Sequence, residues 1–218
     1  MGRTTEDAYR GRYPELRGRA GVWREIARWL SARVGPVEHL VELGPGYGDF
    51  INAYPAARKS AVDVNAAMER HFASEVRFHH AELPGGWPFA EESIDLVFAS
   101  NFLEHLERPA VREVLERAWA GLRPGGRIAL LQPNFRLSAR HYFEDPTHVS
   151  VWSDGELAQL LLEVGFEIAQ IEPGLLPLTM NSRIPKHPYL VRAYLSLPWR
   201  PRAAQMLLIG SKRTEGAR

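Results

Sequence analysis

Glu42-Leu43-Gly44-Pro45-Gly46-Tyr47-Gly48-Asp49 sets an acid just before three alternating glycines. Such spacing lets the backbone turn sharply and approach a ligand closely. A helix opening after the turn aims unpaired N–H groups at that ligand. The pattern argues against a nicotinamide dinucleotide, whose fingerprint puts glycine at its first, third and sixth positions. The sixth position here is Asp49. Glu42 would also repel a pyrophosphate and attract a cationic ligand. A NAD-dependent oxidoreductase is therefore the disfavoured alternative.

Asp63 ends the next apolar run, about 20 residues on, where nucleotide-binding units carry a ribose-binding acid. A carboxylate there accepts both ribose hydroxyl protons; the plainer reading is an exposed strand-end acid. Three histidines, His105, His141 and His148, titrate near neutrality and are candidate bases. Two of them sit in His141-Tyr142-Phe143-Glu144-Asp145-Pro146-Thr147-His148. Asp145 would orient His148, and His148 would take a substrate proton. The alternative is an ordered turn with Asp145 capping and His148 packed. No metal is expected: magnesium prefers carboxylates and water to the two histidines of this segment, zinc would accept them, and nothing in the spacing fixes their geometry.

These residues need a scaffold. Val22 to Arg33 has helical apolar spacing and stops at Gly35-Pro36. Strands are expected at Val37–Leu43, Lys59–Val64, Val76–His80, Ser93–Ser100, Arg127–Gln132, Phe166–Ile171 and Gln205–Gly210. Helices are expected from the glycine turn to about Tyr54, from Asn65 to Phe72, and from Pro109 to Leu122. Ser153-Asp154-Gly155-Glu156 reads as a capping box opening another helix, which Gly165 closes. Alternating strands and helices give an α/β fold with a mostly parallel sheet, and ligands at the carboxyl ends of its strands.

Over roughly residues 37 to 172 the chain resembles the class I S-adenosylmethionine-dependent methyltransferases. The glycine turn resembles their first motif. Ile94-Asp95-Leu96-Val97-Phe98-Ala99-Ser100-Asn101-Phe102-Leu103-Glu104-His105-Leu106 resembles their fourth strand and the turn after it. Arg123-Pro124-Gly125-Gly126-Arg127 resembles the loop before the fifth strand, and Asp-Pro-Thr-His resembles a segment of a branch that includes sugar and glycan enzymes. The resemblance implies a Rossmann-like sheet of seven strands with an antiparallel last strand and helices on both faces. It implies S-adenosyl-L-methionine as cofactor. Glu42, Gly44, Gly46, Tyr47 and Gly48 would hold its methionine end, Asp63 and Val64 its ribose, and Ala81 and Glu82 its adenine. The family often carries Gly-Asp-Ala where this chain reads His80-Ala81-Glu82. Ser100, Asn101 and Phe102 would line the boundary with substrate. His105 resembles a histidine that often closes the turn near the cofactor. His141, Tyr142 and Asn134 would face the substrate.

The expected reaction is in-line methyl transfer to oxygen, less favourably nitrogen, of a small molecule, sugar or glycan. The cofactor is already activated, so positioning supplies much of the catalysis. A non-catalytic relative acting through a protein partner remains an alternative.

The 218 residues are expected to form one domain, with 45% apolar and 24% charged residues as in ordinary globular proteins. The net charge of +1 implies no nucleic-acid partner, and the Asn/Asp-Pro-Pro-Tyr/Phe motif of nucleic-acid amine methylation is missing: the chain reads Asn101-Phe102-Leu103-Glu104. The chain holds no cysteine, which excludes disulfides and thiol catalysis. No apolar run spans a membrane, and the first residues lack a signal core, so a cytoplasmic protein is expected. Residues 1–20 carry Arg3, Arg10, Arg12, Arg17 and Arg19. They read either as a solvated end or as a flap bringing Tyr9 and Tyr13 to substrate. Two inserts, 133–150 and 173–204, would cap the site. The second mixes basic and aromatic residues, which suits a cap, a membrane-surface contact or a homodimer surface.

Overall fold

A computed structural model describes residues 18–178 and 187–214. Tyr9 and Tyr13 lie outside the described residues, as does the stretch Asn181 to Lys186 of the second insert.

In chain order the elements are α1 (Arg19–Val34), β1 (His39–Leu43), α2 (Asp49–Ala53), β2 (Arg58–Asp63), β3 (Val76–His80), β4 (Ile94–Ser100), α3 (Arg108–Gly121), β5 (Leu122–Pro133), α4 (Phe135–Ser138), α5 (Asp154–Val164), β6 (Glu167–Pro177), α6 (Pro188–Leu195) and β7 (Ala203–Ser211). The strands form one seven-stranded sheet in the order β3-β2-β1-β4-β5-β7-β6. Neighbours from β3 to β5 run parallel. β7 is antiparallel to both β5 and β6. The expected Rossmann-like sheet with an antiparallel last strand is present.

Period-two alternation divides the core into two layers. Val41, Val97, Ile128, Leu130, Met206 and Leu208 face α3 and α5. Their chain neighbours Leu40, Leu96, Phe98, Ala129, Leu131 and Leu207 face α1 and α2. Phe50 of α2 stacks on Phe98 with ring centroids 3.7 Å apart. Trp152 is buried and Trp87 packs against the same core, both as packing residues. The Ser153–Glu156 capping box forms in full, and Gly165 closes α5 in the left-handed conformation.

Several boundaries move. The helix after the glycine turn stops at Ala53, one residue before Tyr54. Residues 66–71 form a 3-10 helix in place of the expected α-helix. β5 begins at Leu122 and takes the Pro124-Gly125-Gly126 turn into itself, with a register break between Ile94 and Leu96 on its neighbour. β6 runs on to Pro177 because β7 pairs with it as far as Ala203, absorbing the extra residues as register shifts. The second insert is therefore confined to residues 178–202. Among the described residues no helix is long and apolar enough to cross a membrane.

Candidate active site

Parallel pairing brings the carboxyl ends of β1, β2, β3 and β4 to one edge of the sheet. The segments after those ends are tied crosswise. Gly44 N–H donates to Val62 O at 3.0 Å, Ala81 N–H to Asp63 O at 3.1 Å, and Asn101 N–H to Leu131 O at 3.0 Å. Every residue expected at the cofactor falls on this edge.

Gly44, Gly46 and Gly48 all have positive φ, at 61°, 54° and 70°. A Cβ on Gly44 would lie 2.6 Å from Phe102 Cδ2, and one on Gly48 2.5 Å from Phe72 Cδ1. At these two positions glycine also answers to rings of the protein itself, besides any ligand. Tyr47 is buried, its ring edge-on to His71 at 5.0 Å. Arg19 of α1 is ion-paired with Asp49 at 2.6 Å.

Glu42 is buried, and its Oε2 is an acceptor without a protein partner. Burial pushes its carboxyl well above the usual carboxylate range, against the pull of the Ile51 backbone N–H. An orphaned acid beside a glycine turn fits the cationic amino group of the methionine end. Asp63 accepts backbone N–H groups from Asn65, at 2.8 Å, and from Gly46, which joins it to the glycine loop. Burial raises its pKa as well. Val64 is exposed beside it. Glu82 is exposed in the loop after β3, its carbonyl accepting from Gly86 N–H at 2.8 Å.

Because Glu42 holds a proton in the folded protein that the unfolded chain has lost, stability falls as pH rises from 4.5 toward its folded value. An incoming ammonium group favours the carboxylate, so binding releases that proton. At a pH between 4.5 and the folded value of Glu42, the enthalpy of S-adenosylhomocysteine binding should thus vary with the buffer's ionisation enthalpy, by up to about one proton released. Glu42→Gln should abolish the dependence; an unchanged slope in the variant would assign the proton elsewhere.

The turn after β4 is held under strain. Asn101 has φ 47°, an uncommon value for a residue with a side chain. Its Oδ1 accepts from Gln205 Nε2 at 3.0 Å, and its Nδ2 donates to Ser100 Oγ at 3.3 Å. Gln132, 1% exposed, braces the same turn. Its Oε1 accepts the N–H groups of Phe102 and Leu103, and its Nε2 donates to Ala99 O. Neither glutamine was singled out from the sequence. A lone amide closing the run Ile128-Ala129-Leu130-Leu131 was the available signal for Gln132.

Beyond the turn, Glu104, His105 and His148 converge, one ligand-capable atom of each lying within 4.8 Å of the others. Glu104 is 1% exposed, and neither carboxylate oxygen has a hydrogen-bond partner on another residue. Burial raises its pKa to about 8, opposed by its own backbone N–H and reinforced by the charge of Asp145. His148 Nε2 lies 3.9 Å from Glu104 Oε1. Chain closure explains the meeting: Val149 and Ser150 N–H donate to Glu104 O at 2.8 and 3.2 Å. Glu104 is the main site residue that sequence reasoning missed; an acid between Leu103 and His105 in an otherwise apolar segment was its only sign.

Four expectations in the first insert change. Asp145 Oδ1 accepts the N–H and hydroxyl of Thr147, and the His148 ring donates from Nδ1 to Tyr142 O, so the backbone carbonyl takes the orienting place expected of Asp145. Asn134 is fully buried and spent on structure, accepting Arg136 N–H and donating to Asp154 and Pro173 O. Tyr142 is fully buried, its hydroxyl donating to Ser150 O. Asn134 and Tyr142 therefore position the insert, in place of touching substrate. His141 is exposed and paired with Glu144 at 2.6 Å, outside the convergent cluster.

Residues 16–171 match the model of a family described as a methyltransferase domain, and the chain belongs to that family. Among curated proteins it is similar to malonyl-[acyl-carrier protein] O-methyltransferase of Methylococcus capsulatus, 29% identical over 51% of this chain and 45% of that protein. It is also similar to trans-aconitate 2-methyltransferase of Paracidovorax citrulli, 32% identical over 53% of this chain and 47% of that protein. The chain thus spans about half the length of the curated relatives it matches. Its fold is that of an S-adenosylmethionine-dependent methyltransferase of Archaeoglobus fulgidus, with TM-score 0.69 and 18% identity over 96% of this chain and 100% of the other. The orphaned Glu42 oxygen, the glycine turn and Asp63 fit S-adenosylmethionine, the cofactor named for that structure.

Proposed function

We propose that this domain transfers the methyl group of S-adenosylmethionine to an oxygen of a small molecule, sugar or glycan. The bound sulfonium supplies an activated methyl. Glu42 and the glycine turn hold the methionine end, Asp63 the ribose, and Ala81 and Glu82 the adenine. Ser100, Asn101 and Phe102 form the wall shared with the acceptor.

The observation that carries the choice of oxygen is the cluster just past that wall. An alcohol needs its proton removed, whereas an amine need only arrive neutral. His148 Nδ1 donates to Tyr142 O, so the neutral ring keeps its lone pair on Nε2, available to an acceptor hydroxyl. One curated relative is named an O-methyltransferase, which supports the same choice.

The test is a panel of hydroxyl, carboxylate and amine acceptors with methyl-labelled S-adenosylmethionine, read by mass spectrometry. Label on oxygen is expected. Label confined to nitrogen would overturn the acceptor class, and cofactor binding without any transfer would favour a non-catalytic role.

A further inference from the structure

We propose that Glu104, His105 and His148 form a binding site for a divalent transition-metal ion, zinc by preference, with an open position for an oxygen of the acceptor. The metal site stands on its own observations; only the role of the open position rests on the function proposed above.

The first observation is the donor set. One carboxylate and two imidazoles suit zinc and its first-row neighbours, whereas magnesium prefers oxygen alone. Three protein ligands leave a fourth position for water or substrate.

The second is the unpartnered acid. Glu104 sits 1% exposed with neither carboxylate oxygen hydrogen-bonded to another residue. Its distance of 3.9 Å to His148 Nε2 is within about 0.5 Å of the ligand separation set by tetrahedral bonds of roughly 2.0–2.2 Å. Asp145 adds negative charge nearby. A buried acid with a second acid beside it calls for a proton or a cation.

The third is the outer support. His105 Nδ1 meets Thr147 O at 3.2 Å, and His148 Nδ1 meets Tyr142 O. Both rings spend Nδ1–H on a backbone carbonyl, which fixes the tautomer with its lone pair on Nε2. Metal-binding histidines are oriented in this way. The two carbonyls belong to the segment that Val149 and Ser150 fasten onto Glu104 O, so the ligands and their supports form one folded unit. With an ion bound, His148 Nε2 would be a ligand and no longer the base; the ion's charge would lower the pKa of the acceptor hydroxyl, which would give its proton to solvent water before attack.

Tag-free full-length protein, freed of metal by chelator, would be titrated with Zn²⁺ and with Co²⁺. Metal content would be measured after gel filtration, and the Co²⁺ visible spectrum recorded. One ion per chain is expected, with the absorption of a four- or five-coordinate cobalt site. Glu104→Gln and His148→Asn should each weaken binding by about tenfold or more. S-adenosylhomocysteine binding to each variant serves as the folding control. Metal-free wild type, or variants that bind as tightly as wild type while retaining S-adenosylhomocysteine, would overturn the site. Wild type that takes up the ion but not S-adenosylhomocysteine would sustain the metal site and overturn the cofactor assignment instead.

Discussion

Asp63→Ala is expected to weaken S-adenosylhomocysteine binding by about a hundredfold or more. Two ribose hydroxyls donating to one carboxylate are charge-assisted bonds worth roughly 1.5–3 kcal/mol each. The loss goes further than the ligand contact. The same carboxylate accepts the Gly46 and Asn65 N–H groups, so its removal also loosens the glycine loop. Asp63→Asn keeps an acceptor oxygen and should fall between wild type and alanine. Calorimetry on the three proteins, with NAD as a control ligand, checks the order. Binding to Asp63→Ala within about threefold of wild type would remove Asp63 from the ribose site.

Gly44→Ala is expected to destabilise the domain by about 2–5 kcal/mol. Holding alanine in the left-handed region costs roughly 1–2 kcal/mol. The new methyl group 2.6 Å from Phe102 Cδ2 adds an overpacking cost of about 1–3 kcal/mol. For a chain of this size the melting temperature should drop by about 5–15 °C. Adding Phe102→Ala removes the clash but leaves the φ of 61° in place, so the double variant should outlast the sum of the two single losses. Simple additivity would show that Phe102 is not what forces glycine at this position.

Much of the fold was legible because its signals are local. The capping box at Ser153 and Glu156, the left-handed Gly165 and the apolar runs of β4 and β5 are set by neighbouring residues. The extent of β6 was not, since the apolar pattern stops at Ile171, and pairing with β7 resumes at Leu176 only after a register shift past Glu172. Glu42, the glycines and Asp63 lie at or just past the ends of β1 and β2, where the alternation of strands and helices puts them.

The surroundings of His148 were legible in composition but not in geometry. His148 stands out as a candidate base, but the sequence offers it neighbours only from its own segment. The fold instead returns residues 147–150 over residues 103–105, so the partner facing Nε2 is Glu104. Asn134 misled for a related reason. Asparagine after a strand suits a ligand contact, but here it caps α4 and ties β6 to the start of α5.

The sheet order has a consequence for how the chain assembles as it leaves the ribosome. β6 pairs only with β7, and β7 alone joins it to β5. β1 to β5 can therefore zip together while synthesis proceeds, each new parallel strand finding its neighbour already made. β6 emerges with no strand to receive it. It must wait for residues 203–211 to slot in between, closing the sheet in one late, long-range step. Nascent chains stalled before and after β7 should differ sharply in protease resistance of α5 and β6, and little in that of β1 to β4.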